Sequence, residues 1–565
     1  MSSESGMTRK RLGATLLTLF IVLGVLLTAC GGANNGSNAS GGKNDRILTL
    51  QNGPNGDFSK ALSPYTTAGV NPGAQGLVYE TLLYFDQAKG GEITPWLADS
   101  YEFSKDAKSI TYHLRNNVKW SDGQPFTAND VVFTFNMLKK YPAADTNSLW
   151  KSIKDVVAAD DHTVNITLNQ SNSTMLWYTG GQIWIVPQHA WQNVGDPTKY
   201  VNDTPVGTGP FTLKNFTPQL IDYVRNPNYW QADKVEVQEV RYPSYNTNTS
   251  VELDLNRGNL DWTGIFLPKV QDSYVGRDKE HNHYWFAPLS PVMLYLNTAK
   301  SPFDQLNVRQ AISLALDRDQ MYKVAESGHE PVAHPSGLVT PAYDNLVAPE
   351  YKDAAFKQDI AKAQQLMESA GFKKGADGIY VGTDGKKLSF KIGVVTGWSD
   401  WVTICQIAAS NLKQIGIDAQ VDPQAYTAYY TSLQTGSFDM AVSWTNAGPS
   451  PYYMFNGLLN SKNTAAVGKV AASNWSRWQD PQTDSLLNQY ATSTDKTVQQ
   501  TALNGLEKIM VEKLPALPLV YGVNFAEYSS AKFTGWPTPD DPYALAAPYS
   551  VPDVGVVVTH LKAVK

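Results

Sequence analysis

Residues 442–453 read VSWTNAGPSPYY: an indole, an amide and two phenols, with no charge. Gly448, Pro449 and Pro451 exclude a continuing helix or a central strand, so the run is a shaped loop. Its chemistry is adhesion rather than bond-making. Indole and phenol rings bury large flat areas against C–H faces, and Asn446 offers a hydroxyl both a donor and an acceptor. More rings stand in segments of similar character: Trp262 in LDWTGIFLP, Trp285 in HNHYWFAP, Trp398 and Trp401 in TGWSDW, Tyr426 in QAYTAYY, and Trp444 and Tyr452 in the loop itself. With 15 Trp and 29 Tyr the chain can line a cleft as well as fill a core. Such a set would suit an uncharged, hydroxylated molecule with flat faces.

Other chemistries are poorly served. Glycoside hydrolysis needs two facing carboxylates; Asp261 and Asp400 lie beside tryptophans, but nothing in the sequence pairs them. His281 and His283 are spaced like a loop ligand pair and lack a third partner, so no metal is expected. No G-x-x-x-x-G-K-[ST] phosphate loop occurs, and no cofactor is implied. Cys405 falls on the apolar period of WVTICQIAASNLKQIGI and reads as a buried, inert thiol. Cys30 is the only other cysteine, so the folded body can form no internal disulfide. The whole reads as a binding protein and not an enzyme.

Residues 1–29 read as a targeting segment. Arg9, Lys10 and Arg11 precede the apolar run LGATLLTLFIVLGVLL, and Leu27-Thr28-Ala29-Cys30 resembles a bacterial lipobox, in which the cysteine is lipidated. GGANNGSNASGGKND then forms a tether, residues 30–44, with too little apolar surface to fold. The expected location is the outer face of the cytoplasmic membrane, held by lipid on Cys30. The full chain carries a formal charge of −6; residues 1–29 hold three basic groups and one acid, which leaves −8 on the remainder. That balance disfavours nucleic acid or anionic lipid as a partner.

The elements that must position the rings are of mixed α/β character. SITYHL alternates, with Ile110, Tyr112 and Leu114 on one face. Thr127 and Asp130 have capping-box spacing at the start of VVFTFNMLKK. DHTVNITLNQ reads as a strand, VGTGPFTLKNFTPQLIDYVRNPNYW as a hairpin, and VRQAISLALDRDQMYKVA as an amphipathic helix. KLSFKIGVV, WVTICQIAASNLKQIG and IDAQVDP give strand, helix, strand, the order of a parallel pairing.

Five stretches together resemble the family 5 extracellular solute-binding proteins, the peptide, nickel and oligosaccharide receptors of ABC importers: YHLRNNVKWSDGQPFTANDVVFTF, PVGTGPFTLKNF with RNPNYW, LNTAKSPFDQLNVRQAISLALDR, AKAQQLMESAGF, and GSFDMAVSW. The resemblance implies a two-lobed, type II periplasmic-binding-protein-like α/β fold of the large cluster C kind with an inserted subdomain. Its expected parts are lobe I (45–79, 204–303 and 531–565), an inserted subdomain of lobe I (80–203), and lobe II (304–530). It further implies a monomer that closes by a hinge on its ligand and docks on a membrane permease. Trp120, Trp177 and Trp184 are expected in the core, and Arg309 and Asp317 in structural ion pairs. Trp262 and Tyr426 match places where family members touch ligand.

In peptide-binding members, the stretch after the GSFDMAVSW tryptophan carries an aspartate for the ligand's α-ammonium group; here that position is Ala447. The C-terminal TGWPTPDDPYALAAPYS and the run SPYYMF with NTAAVGKVAASNWSRW resemble the cello-oligosaccharide branch. These resemblances imply a neutral oligosaccharide ligand held by Trp262, Trp285, Trp398, Trp401, Tyr426, Trp444, Asn446 and Tyr452, with an oligopeptide as the alternative and a secreted glycoside hydrolase as a remote one.

Overall fold

In a computed structural model of the chain, residues 46–53, 56–66, 69–382 and 385–565 are described; Cys30, the leader and the tether lie outside them. The first sheet contains β1 (Ile47–Thr49), β2 (Phe211–Thr217), β3 (Leu220–Arg225) and β4 (Glu239–Pro243) in the order β1-β4-β3-β2. The expected hairpin is β2–β3, antiparallel, and β1 joins β4 in parallel from far earlier in the chain. Two segments more than 150 residues apart thus build one sheet.

Between them the chain forms a separate antiparallel sheet of strands 98–103, 109–114, 163–168 and 153–160. Ile110, Tyr112 and Leu114 all point inward, as their alternation requires. Helix α1 (Ala128–Lys140) packs beside it. The Thr127 N–H donates to Asp130 Oδ2 at 3.0 Å, closing the first turn. Trp120 is fully buried and donates from Nε1 to the same oxygen at 3.3 Å. Trp177 and Trp184 are also buried.

Short strands β5 (Trp262–Thr263) and β6 (Asn282–Tyr284) lead to the second sheet, which contains β7 (Ala287–Leu296), β8 (Ser389–Val395), β9 (Asp418–Gln424), β10 (Met440–Ser443) and β11 (Leu517–Asn524). Its order is β9-β8-β10-β7-β11. β8 runs parallel to both β9 and β10, while β7 is antiparallel to β10 and β11. The chain then returns through β12 (Glu527–Ser529), which slots between β5 and β6. Residues 287–296, expected above in lobe I, bond on both edges within the second sheet, and 527–529, expected in lobe II, pair with β5 and β6. We place the two crossings between β6 and β7 and between β11 and β12. They touch: Trp285 N donates to Ala526 O at 2.9 Å, and the Phe286 and Phe525 rings meet edge to face at 4.9 Å.

Helices α2 (Leu306–Ala315) and α3 (Ser399–Gln414) cover the second sheet. Cys405 is buried on α3, where burial pushes its thiol well up. The expected ion pairs at Arg309 and Asp317 do not form. The Arg309 guanidinium donates instead to the carbonyls of Phe303, Asp304, Lys513 and Leu514, and Asp317 caps a turn by accepting from Gln320 N. A planar fork of donors is satisfied by carbonyls, two of which, Lys513 and Leu514, would otherwise be orphaned at the end of the helix Lys496–Lys513.

Candidate functional site

Because β8, β9 and β10 run the same way, their carboxyl ends share one edge of the second sheet. In open α/β sheets that edge is where ligands bind. Each strand is followed there by a ring: β8 ends at Val395 and turns through Gly397 into Trp398; β9 ends at Gln424, before Tyr426 on α4 (Tyr426–Thr435); β10 ends at Ser443, before Trp444. Gly397 adopts φ +92°, which lets the chain turn sharply enough to begin α3 one residue after Trp398.

The rings converge. Trp398 meets Trp401, Trp444 and Tyr426 at centroid distances of 5.1, 5.8 and 6.1 Å. Trp401 lies 6.1 Å from Trp444. Tyr426 and Tyr430 are parallel within 4° at 5.9 Å, and Tyr430 is within 13° of Trp444 at 6.5 Å. Trp475 closes the group against Tyr430 and Trp444. Tyr426 is half exposed, while Trp398, Trp401, Tyr430 and Trp444 are partly exposed. Trp475 Nε1 and Thr445 Oγ1 are buried under the patch without a hydrogen-bond partner. Four of the expected residues therefore come together, and Tyr430 and Trp475 join them.

The loop after β10 is pinned by phenols donating to its backbone, Tyr295 to Trp444 O and Tyr343 to Gly448 O, both at 2.8 Å, and Tyr429 donates to Val442 O within β10 at 2.5 Å. Asn446 and Ala447 line a narrow hollow of about 20 Å³ with Leu289, Pro291, Tyr343 and Met454, and among the described residues no carboxylate lines it. The acid nearest in sequence, Asp439, sits at the opposite end of β10, ion-paired to Lys300 at 3.1 Å.

Three expected residues stand apart. Trp262 is fully buried in the first lobe: its Nε1 donates to Ala546 O at 2.7 Å and its ring packs edge to face on Trp536 at 5.3 Å, so it presents no face to solvent. Tyr452 is buried and stacked on Tyr490 at 4.6 Å. Trp285 is partly exposed at the crossing between the lobes, where it lines a different hollow.

Acids do lie near the patch. Glu326 and Glu330 are buried; burial first, then the charges of Glu330 and Asp400, push Glu326 up to about 10, and burial and then Asp400 push Glu330 up to about 8. Both shifts favour the neutral, protonated form. Asp400, between the two tryptophans of α3, is itself raised by burial. Asp261 is buried against Lys532 at 2.9 Å and accepts from Thr49 N, so it supplies no free acid for hydrolysis.

Residues 92–466 match the model of bacterial extracellular solute-binding proteins, family 5. The chain belongs to this family. The family 5 chain is similar to the oligopeptide-binding protein OppA of Bacillus subtilis, 25% identical over 90% of this chain and 94% of that one. Among solved structures it is similar in fold to a periplasmic oligopeptide-binding protein of Thermotoga maritima, 24% identical, with a TM-score of 0.86 over 93% of this chain and all of the other. The same Thermotoga protein with mannohexaose bound gives 0.78, over 92% and 99% of the two chains, again at 24% identity. As a family 5 member the protein is an exported substrate-binding component of an ABC importer, built as a two-lobed α/β fold, and not an enzyme. Among the described residues no helix is long and apolar enough to cross a membrane.

Proposed function

We propose that this receptor captures a neutral oligosaccharide, of β-glucan or cello-oligosaccharide type, and hands it to a membrane permease while anchored through lipid on Cys30. The observation that carries the reading is the convergence of Trp398, Trp401, Tyr426, Tyr430, Trp444 and Trp475 at the carboxyl ends of β8, β9 and β10. The position beside them that would take a peptide's α-ammonium partner is Ala447, in a hollow without a carboxylate. An α-ammonium group enclosed there would be unpaired, which costs several kcal/mol; a sugar makes no such demand. A structural neighbour named as an oligopeptide-binding protein and solved with mannohexaose bound supports treating the two ligand classes as open to one fold.

Capture proceeds by closure. A ligand seated on the second lobe draws the first over it about the paired crossings, and the closed form is the one delivered. The second reading, an oligopeptide, is favoured by relatives bearing that name. A thermal-shift panel separates them. Cello-oligosaccharides and other β-glucan fragments should raise the melting temperature in proportion to log concentration, and di- to pentapeptides should not. A response to peptides alone would reverse the assignment.

A further inference from the structure

Trp285 is placed unlike the other candidate rings. It stands at the crossing from first to second lobe, partly exposed, and among the described residues it meets no other aromatic ring and its indole N–H has no hydrogen-bond partner. Trp285 lines a hollow of about 270 Å³. The other walls come from segments far apart in the chain: Ala88 from the inserted subdomain, Pro288 from β7, Pro341 from the second lobe, and Pro539 and Pro542 from the C-terminal stretch. No charged side chain faces it.

Building on the oligosaccharide reading, we infer that this hollow is a second sugar subsite, which takes a ring at the far end of a chain whose other rings lie on the patch around Trp444. Three features support one occupant of that chemistry. The hollow is just below the range of drug-sized ligand sites, so it fits a single ring-sized group. Its lining includes a partly exposed tryptophan that meets no other ring among the described residues, a side chain whose flat face and N–H suit a sugar ring with hydroxyls around its edge. It also runs on from the hollow beside Asn446 and Ala447: Ala287 and Pro288 line one and Leu289 to Pro291 the other, and Val339 lines both. Four residues of strand separate the ends of this run, roughly 13 Å at the usual rise. A short sugar reaches one subsite; a longer one reaches both. Because the walls belong to both lobes, an occupant here also ties closure to chain length.

The test is calorimetric titration of the intact receptor with the series from cellobiose to cellohexaose, using wild type, Trp285→Ala, Trp285→Phe and Trp444→Ala. Trp285→Ala should weaken the longest chains about 10-fold, a loss of about 1.4 kcal/mol, and the disaccharide less than about 2-fold. Trp285→Phe, which keeps a flat face, should recover most of the loss, and Trp444→Ala should weaken every length. If Trp285→Ala changes nothing, or weakens all lengths equally, the subsite is wrong while the sugar reading stands. If wild type binds no member of the series, that reading fails and the subsite fails with it.

Discussion

At position 447 stands a methyl group where the resemblance to peptide receptors implies a carboxylate, and the consequence can be measured in both directions. Ala447→Asp puts an acid at the rim of a hollow walled by Leu289, Pro291, Tyr343 and Met454. A neutral ligand closing over it leaves that carboxylate without a partner, which costs ~1–3 kcal/mol, so oligosaccharide affinity should fall about 10-fold by calorimetry. Peptides with a free α-amino group should gain, and N-acetylated ones should not. Unchanged sugar binding would place the ligand away from this loop. Glu326 and Glu330 make a second residue-scale case. Their folded pKa values, about 10 and about 8, lie above the ordinary value of 4.5. The folded chain therefore holds protons that the unfolded chain releases above pH 4.5, and the stability this gives fades as pH rises through the folded values. Replacing both by Gln removes the proton difference. The double variant should lose less melting temperature than wild type between about pH 7 and 10 in a calorimetric scan.

At the scale of elements, the contact between the inserted subdomain and the second lobe depends on two glycines. Gly90 and Gly91 have φ of +65° and +83°. A Cβ on Gly90 would come within 2.7 Å of Ala342 O, and one on Gly91 would run into Pro449 O in the loop after β10. Gly123 has φ +90° with nothing within 4 Å of an added Cβ, so it isolates backbone strain, ~1–2 kcal/mol. Gly91→Ala adds a steric clash of ~1–3 kcal/mol, and it should lower the urea midpoint clearly more than Gly123→Ala does. Equal losses would mean the turn yields freely. What was legible in the sequence follows the same division. Strand β8, helix α3 and strand β9 announce themselves by local period, and their parallel order fixes where Trp398, Tyr426 and Trp444 meet. Tyr430 could have been found, since it lies four residues after Tyr426 on one helix face. Trp475 comes from a loop brought near only by the fold. Trp262 misleads because a short strand reads like a loop: pairing with Tyr528 and packing on Trp536 turn it inward. The membership of β7 in the second sheet rests on pairing with residues some 150 and 230 positions later, which no local pattern encodes.

Across the whole molecule, the largest buried apolar cluster among the described residues runs from Leu48 in the first lobe through Trp177 of the inserted subdomain to Tyr453 of the second lobe and on to Leu561, while Leu294, Ile312 and Ile404 belong to a separate core between the second sheet and its helices. Specific contacts tie the largest cluster at the seam. Tyr453 Oη donates to Thr174 O at 3.0 Å, Ser173 N donates to Ala491 O at 2.6 Å, and the rings of Trp177 and Tyr178 meet Tyr453 at 6.2 and 5.6 Å. Tyr453, Phe455, Leu487 and Leu503 of the second lobe lie in the cluster they share with the first, so the seam couples the two lobes, and melting should be one cooperative transition despite the second lobe's separate sheet core. A ligand that binds only the folded form then stabilises all of it. At a hundred times Kd the gain is about 2.7 kcal/mol, and the entire calorimetric peak should move without splitting. If the lobes melted independently, ligand would instead displace one peak and leave the other in place. That outcome would refute a shared core and leave closure to a hinge between autonomous lobes.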